Sequence, residues 1–273
     1  MKNAMSIDLE DWYCANNVTQ VVKRENWSKC ESRVHESTKK ILNLLKKHDT
    51  RATFFVLGWI AERCPELIRE IEQHGHEIGV HGYQHLLLTE ITPLEFEKDL
   101  AIAIETLKNC GVAQRVIGFR APSFTVVAQT QWALEILEKY EIQYDSSVFP
   151  LAFHPDYGCA SAPLAPYKIT PGIHEFPLSC LELGGIRFPF SGGAYFRLMP
   201  YAYTRYCIEK CNTGGRPMIF YIHPWELDAQ QPRVELTWSK KLRHYHNLEK
   251  TEGRLEALLR DFEFTTVREV LHL

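Results

Sequence analysis

A chain of 273 residues, 45% of them hydrophobic, can bury one large core, and an α/β barrel of this length is ordinarily a single domain, here 1–273. The formal net charge of -3 and the lack of a long basic run exclude a nucleic-acid footprint, and no apolar stretch approaches the roughly 20 residues that span a bilayer. The eight cysteines are scattered and the N-terminus shows no apolar export signal, so reduced thiols and a cytoplasmic location are expected.

In chain order, residues 4–8 read as a short strand that delivers Asp8 to a pocket. A helix over 37–47 follows from the spacing of Ile41, Leu44 and Leu45. Residues 52–57 are β-branched and aromatic, as in a buried strand. A helix over 65–74 opens on proline, which suits a first turn, and a short strand covers 76–80. The next helix, 93–109, sets Leu94, Leu100, Ile104 and Leu107 on its apolar side. A strand over 116–119 ends at Arg120, a helix covers 130–140, and a strand covers 143–145. Residues 149–200 are rich in proline, glycine and aromatics and read as strands and loops inserted between barrel units. A helix over 201–210, a strand over 218–222 ending at His223, a helix over 253–260 and a strand over 264–267 complete the chain. The alternation predicts an α/β fold, a distorted barrel of about seven parallel strands with an inserted β and loop segment.

Polar residues recur just past strands: Asp8, His81, Arg120, Asp145 and His223. In an α/β barrel such ends meet at one face, where active sites lie. His81 and His85 share one face if their segment is helical, and a carboxylate from elsewhere would complete a catalytic metal site with open positions. Asp8, Glu10 and Asp11 supply acids, one to ligate and another to take a proton. Taken alone, the cluster reads first as a solvated acidic turn. Arg120 suits bidentate support of a carboxylate, and His223 suits a general acid. Cys207 and Cys211 sit four apart on a helix and read as core residues.

Taken together, these motifs resemble the polysaccharide deacetylase family, or NodB homology domain. The matching segments are Ser6-Ile7-Asp8-Leu9-Glu10-Asp11, Thr53-Phe54-Phe55-Val56-Leu57-Gly58, His81-Gly82-Tyr83-Gln84-His85, Phe119-Arg120-Ala121-Pro122-Ser123-Phe124, Tyr144-Asp145-Ser146-Ser147 and His223-Pro224-Trp225-Glu226. The sub-pattern resembles the branch associated with exosortase (PEP-CTERM) exopolysaccharide clusters, with a C-terminal extension over roughly 225–273. The resemblance implies a NodB-type barrel and a hydrolase that removes N-acetyl groups from an amino sugar in a polysaccharide or its precursor. It implies a divalent cation, zinc first, held by His81, His85 and one of Glu10 and Asp11. Leu9 stands where many members carry the ligating aspartate, so the third ligand is open between those two acids. Asp8 matches the general base, Arg120 its partner and His223 the general acid. Phe124, Asp145, Tyr195 and Trp225 are the candidate substrate-binding residues. Two alternatives keep the fold: a deacylase acting on a formamide, ureide or O-acetyl ester, and a catalytically silent sugar-binding domain.

Overall fold

The computed structural model describes residues 1–151 and 158–273. Its strands are β1 (Asn3–Leu9), β2 (Thr53–Val56), β3 (Glu77–Val80), β4 (Gly118–Phe119), β5 (Tyr144–Asp145), β6 (Tyr167–Lys168), β7 (His174–Glu175), β8 (Cys180–Leu183), β9 (Ile186–Pro189), β10 (Ile219–Ile222) and β11 (Phe264–Thr265). The helices are α1 (Val34–Lys47), α2 (Gly58–Arg63), α3 (Pro65–Gln73), α4 (Pro93–Asn109), α5 (Trp132–Lys139), α6 (Gly193–Leu198), α7 (Tyr201–Thr213), α8 (Trp238–Tyr245), α9 (Leu248–Asp261) and α10 (Val267–Leu271).

β1 is buried at every position, as a strand covered on both faces must be. Its side chains alternate. Ala4 joins the aromatic rings of Phe55, Tyr144 and Tyr221 inside the curl of the sheet. Met5, Ile7 and Leu9 face the larger core shared with Ile41 and Leu45 of α1. Asp8 continues the inward column at the C-terminal end of the strand.

The main sheet has nine strands, in the order β10-β1-β2-β3-β4-β5-β7-β6 with β11 beside β1. Its ladders are parallel except β6–β7. The sheet curls into a half-barrel, the expected α/β architecture. Among the described residues no ladder joins β6 to β10. Instead β10 meets extended backbone: the Tyr221 N–H donates to the Ser191 carbonyl at 2.9 Å, and the Ile219 N–H to Ser179 Oγ at 2.9 Å. Gly192 has φ +139, and a Cβ there would lie 1.9 Å from the Tyr221 carbonyl oxygen. Only glycine permits this approach.

The expected elements correspond to β1–β5, β10, β11, α1, α3–α5, α7 and α9, with shifted ends. Three differences carry physical reasons. The 149–200 segment does more than insert: β7 pairs in parallel with β5 and extends the barrel wall, while β8 and β9 form a separate hairpin; residues 152–157 of that segment lie outside the described residues. Leu94 is 61% exposed, because it sits in the first turn of α4, beyond the patch covered by Phe96, Leu100 and Leu107. The last strand stops at Thr265, since the Thr266 hydroxyl caps the Glu269 N–H at 3.2 Å and starts α10.

Candidate active site

Asp8 meets its partner at the mouth of the half-barrel. Arg120, fully buried, donates from Nη1 to Asp8 Oδ1 at 2.6 Å and to Ser6 Oγ at 2.9 Å. Its Nε donates to the Ser146 carbonyl at 2.9 Å and its Nη2 to Ser146 Oγ at 2.8 Å. The guanidinium carbon lies 4.2 Å from the centre of the Phe55 ring. Oxygens around the rim of the guanidinium and a ring against its face fix Arg120, and with it one oxygen of Asp8.

The histidine segment is not helical. Gly82 has φ +71 and His85 has φ +55, so the imidazoles converge through a loop rather than along one helix face. Helix α4 holds that loop, Asp99 accepting from the Tyr83 N–H at 2.7 Å and the Gln84 N–H at 3.1 Å. A Cβ on Gly82 would lie 2.9 Å from Asp99 Oδ2, so this position needs glycine for both space and conformation. The Arg24 guanidinium ties down the Gln84 and His85 carbonyls at 2.8 Å each.

Both imidazole Nε2 atoms lie 3.0 Å from Glu10 Oε1. His81 uses Nδ1 to donate to the Arg120 carbonyl at 2.8 Å, a pairing that requires the proton on Nδ1 and leaves the Nε2 lone pair facing Glu10. Two acceptors this close need a proton or a cation between them. Ligands at 2.0–2.1 Å in a tetrahedron stand about 3.3 Å apart, close to this spacing. Glu10, His81 and His85 are buried, and their donor atoms lie within 4.8 Å of one another. The set therefore fits a divalent cation. Burial opposes charge on Glu10, but the surrounding His85, His223 and His81 hold its carboxyl well below the usual range.

Asp11 is spent elsewhere. It accepts from the Trp12 N–H at 2.9 Å, Ser32 Oγ at 2.8 Å, the Arg33 N–H at 2.9 Å and the Val34 N–H at 3.2 Å. It thus caps the start of α1 and of the short helical turn Trp12–Cys14. Of the two acids left open by the sequence, Glu10 is the one beside the histidines.

His223 stands opposite, its Nε2 3.8 Å from Asp8 Oδ2. Its Nδ1 lies 2.9 Å from Glu226 Oε2, and the other oxygen of Glu226 accepts from Arg197 Nε at 2.7 Å. Arg197 is itself fixed by the backbone carbonyls of His244, His246 and Arg243. Burial pulls the His223 pKa down, but Glu10, the bond and charge of Glu226, and Asp8 together lift it to about 9. Burial likewise opposes the charge on Glu226, and Arg197 and His223 outweigh it, holding that carboxyl at about 2. Trp225 stacks on His223, with ring centres 5.1 Å apart, and on His244, at 4.4 Å.

Phe124, Tyr195 and Trp225 line the same pocket as Asp8, Glu10, His81, His85 and His223. Asp145 does not. It is fully buried behind Arg120 and accepts from the Ser147 hydroxyl, because its strand turns the side chain into the barrel wall. Sequence reading placed Glu226 and Arg197 within matching motifs but gave neither a role. The His-x-x-Glu spacing was the available signal for Glu226: it reaches back to the His223 N–H at 3.0 Å, as the third residue of a capped turn does. Arg197 ends the stretch Gly192-Gly193-Ala194-Tyr195-Phe196-Arg197, but nothing local assigns its role, because the side chain's hydrogen-bond partners lie 29 or more residues away.

Comparison with known proteins fits this geometry. Residues 28–144 match the family model "Polysaccharide deacetylase", and residues 146–272 match "Domain of unknown function (DUF3473)". The chain is 37% identical over 102 residues to a peptidoglycan-N-acetylglucosamine deacetylase of Bacillus cereus, a match covering 37% of this chain and 36% of that protein. The chain spans less than half the length of the curated relatives it matches. In three dimensions it is similar to a Mycobacterium smegmatis protein described as a polysaccharide deacetylase, with a TM-score of 0.60 at 19% identity over 100% of this chain and 90% of the other. It is also similar to a pseudoenzyme of carbohydrate esterase family 4 from Bacillus anthracis, with a TM-score of 0.54 at 14% identity over 99% of this chain and 65% of the other. Residues 28–144 thus carry a polysaccharide deacetylase domain, followed over 146–272 by a DUF3473 region.

Proposed function

We propose that this chain is a divalent-metal-dependent N-deacetylase acting on an N-acetylated amino sugar, in a polymer or in its precursor. One observation carries the reading: two proton-handling side chains, Asp8 and His223, stand 3.8 Å apart beside a buried three-donor cluster. Glu10, His81 and His85 would hold the ion, and two imidazoles with one carboxylate suit zinc. When bound, such an ion supplies Lewis-acid polarisation of the acyl oxygen and acidifies water.

The chain's own residues supply the proton transfers. Asp8 keeps Oδ1 on Arg120 and turns Oδ2 toward the pocket, where it takes a proton from the attacking water. The water oxygen bonds to the acetyl carbon and the carbon–nitrogen bond breaks. His223, cationic at neutral pH, delivers its Nε2 proton to the departing amine nitrogen. Glu226 keeps Nδ1 engaged, which fixes the ring and aims Nε2 at the reacting centre. Trp225, Phe124 and Tyr195 offer apolar walls to a sugar ring and the acetyl methyl.

The test is acetate release by the metal-loaded protein from an N-acetylhexosamine oligosaccharide, with an O-acetylated sugar as the competing substrate. Asp8→Asn is expected to retain the ion and lose turnover. A fully active Asp8→Asn protein would overturn the base assignment, and a wild-type protein that binds the metal but releases no acetate would favour a silent sugar-binding domain.

A further inference from the structure

Two acids that this mechanism leaves unused lie directly behind Arg120. Asp145 and Glu175 are register partners across β5 and β7, and both are fully buried. Asp145 accepts from the Ser147 hydroxyl, and Ser147 Oγ in turn accepts from the Ala121 N–H at 2.7 Å. Glu175 Oε1 accepts from the Val148 N–H at 3.0 Å. The remaining oxygens, Asp145 Oδ2 and Glu175 Oε2, are buried and have no donor among the described residues, yet the two carboxyl groups lie within hydrogen-bond reach of each other.

Two carboxylates in contact in an interior repel and leave lone pairs unmet; a single proton between them makes one the donor and satisfies both. Burial first, and then their mutual contact, decides where that proton sits. Burial pushes Asp145 up to about 6 despite its bonds from Glu175 and Ser147. Burial and the charge of Asp145 push Glu175 well above the usual glutamate range. The charged or titratable groups facing the pair are Arg120, just past β4, and the Tyr167 phenol from β6.

The placement gives the pair a task. Residues 146–148 continue past β5, and the Ser146 carbonyl and hydroxyl hold the Arg120 guanidinium. Asp145 fastens that segment through Ser147, and Glu175 fastens it through the Val148 N–H. We propose that Asp145 and Glu175 share one proton and act as positioning residues, clamping the 146–148 segment so that Arg120 presents Asp8 in its working orientation. The link to catalysis rests on the deacetylase reading, so the test has an arm that does not depend on turnover.

Glu175→Gln supplies a permanent N–H donor to Asp145 and keeps an acceptor for Val148, whereas Glu175→Leu removes both. A carboxyl whose folded pKa is raised favours the fold most below its unfolded pKa, about 4.3 for glutamate, and loses that contribution as pH rises toward the folded value. The wild-type melting temperature should therefore fall as pH rises above about 4.3, and the Glu175→Gln protein should fall by less. In the activity arm, Glu175→Leu should lose about tenfold to a hundredfold in kcat, the scale of a misplaced catalytic group. Glu175→Gln should restore turnover to within about threefold of wild type while keeping the flatter melting profile. Parallel melting curves for wild type and Glu175→Gln, or a glutamine no better than leucine in turnover, would overturn the shared proton or the positioning role respectively. If wild type releases no acetate while the melting curves diverge, the pair stands and the deacetylase reading falls.

Discussion

The two sides of the pocket use the same pair of side chains for opposite ends. On one side Arg120 grips Asp8 at 2.6 Å; on the other Arg197 grips Glu226 at 2.7 Å. Both arginines are buried, and both carboxylates keep a second oxygen near His223. The difference lies in what that second oxygen meets. Asp8 Oδ2 faces the pocket, 3.8 Å from His223 Nε2, so it is placed to accept a proton from a third party. Glu226 Oε2 is closed onto His223 Nδ1 at 2.9 Å and onto the His223 backbone N–H at 3.0 Å, so it works only through the histidine. A buried ion pair thus offers a free acceptor where one oxygen is left to the pocket, and forms a tether where both are committed.

The largest break in that comparison should come from the base side. Asp8→Asn keeps the shape and the Arg120 contact but cannot take a proton, and kcat should fall by about 10²- to 10⁴-fold. Metal content by elemental analysis should be unchanged. His81→Ala should lose metal and turnover together. An Asp8→Asn protein that also loses its metal would mean that Asp8 ligates.

The tether side should yield a smaller change with a pH signature. Glu226→Gln removes one of the charges that lift His223 to about 9. We expect about a tenfold loss in kcat, together with a shift of the alkaline limb of the rate profile to lower pH. The sign for stability follows from linkage. A histidine whose folded pKa exceeds its unfolded value, about 6.5, contributes stability fully below that value and loses it as pH rises through the folded one. Metal-free wild type should therefore lose stability between about pH 6.5 and pH 9, and Glu226→Gln should lose less over that interval. Identical melting profiles for the two proteins would show that Glu226 does not set the histidine's charge.

The same contrast explains how much was legible in the sequence. β1 to β4 are each buried, and β1, β3 and β4 carry or lead directly to Asp8, His81 and Arg120, so these three could be read in order. Glu10 against Asp11 could not, because the choice depends on Ser32, Arg33 and Val34 arriving to claim Asp11. The convergence of His81 and His85 was anticipated but its cause was not: two positive-φ positions make the loop, and a four-residue spacing alone resembles a helix face. Asp145 ends a strand much as His81 and Arg120 follow theirs, yet its side chain faces Glu175, a register partner 30 residues on that no local pattern reveals. Arg197 is hidden for a similar reason, its role arising from carbonyls at 243, 244 and 246.

The smallest functional effect belongs to the acid that serves neither side of the pocket. Asp11 neighbours Glu10 in sequence, yet its oxygens accept three backbone N–H groups and the Ser32 hydroxyl. Burial raises its pKa in spite of those bonds, so desolvation outweighs the stabilisation of its charge. Asp11→Ala leaves the N–H groups at the start of α1 without a protein acceptor and should cost about 1–2 kcal/mol in denaturant unfolding, the scale of a lost cap. Metal content should stay at wild-type level and kcat within about twofold, since the donors at Glu10, His81 and His85 are held by other contacts. Glu10→Gln is the matched control, expected to lose the metal. If Asp11→Ala were to empty the site while Glu10→Gln kept it filled, the assignment of the ligating acid would be reversed.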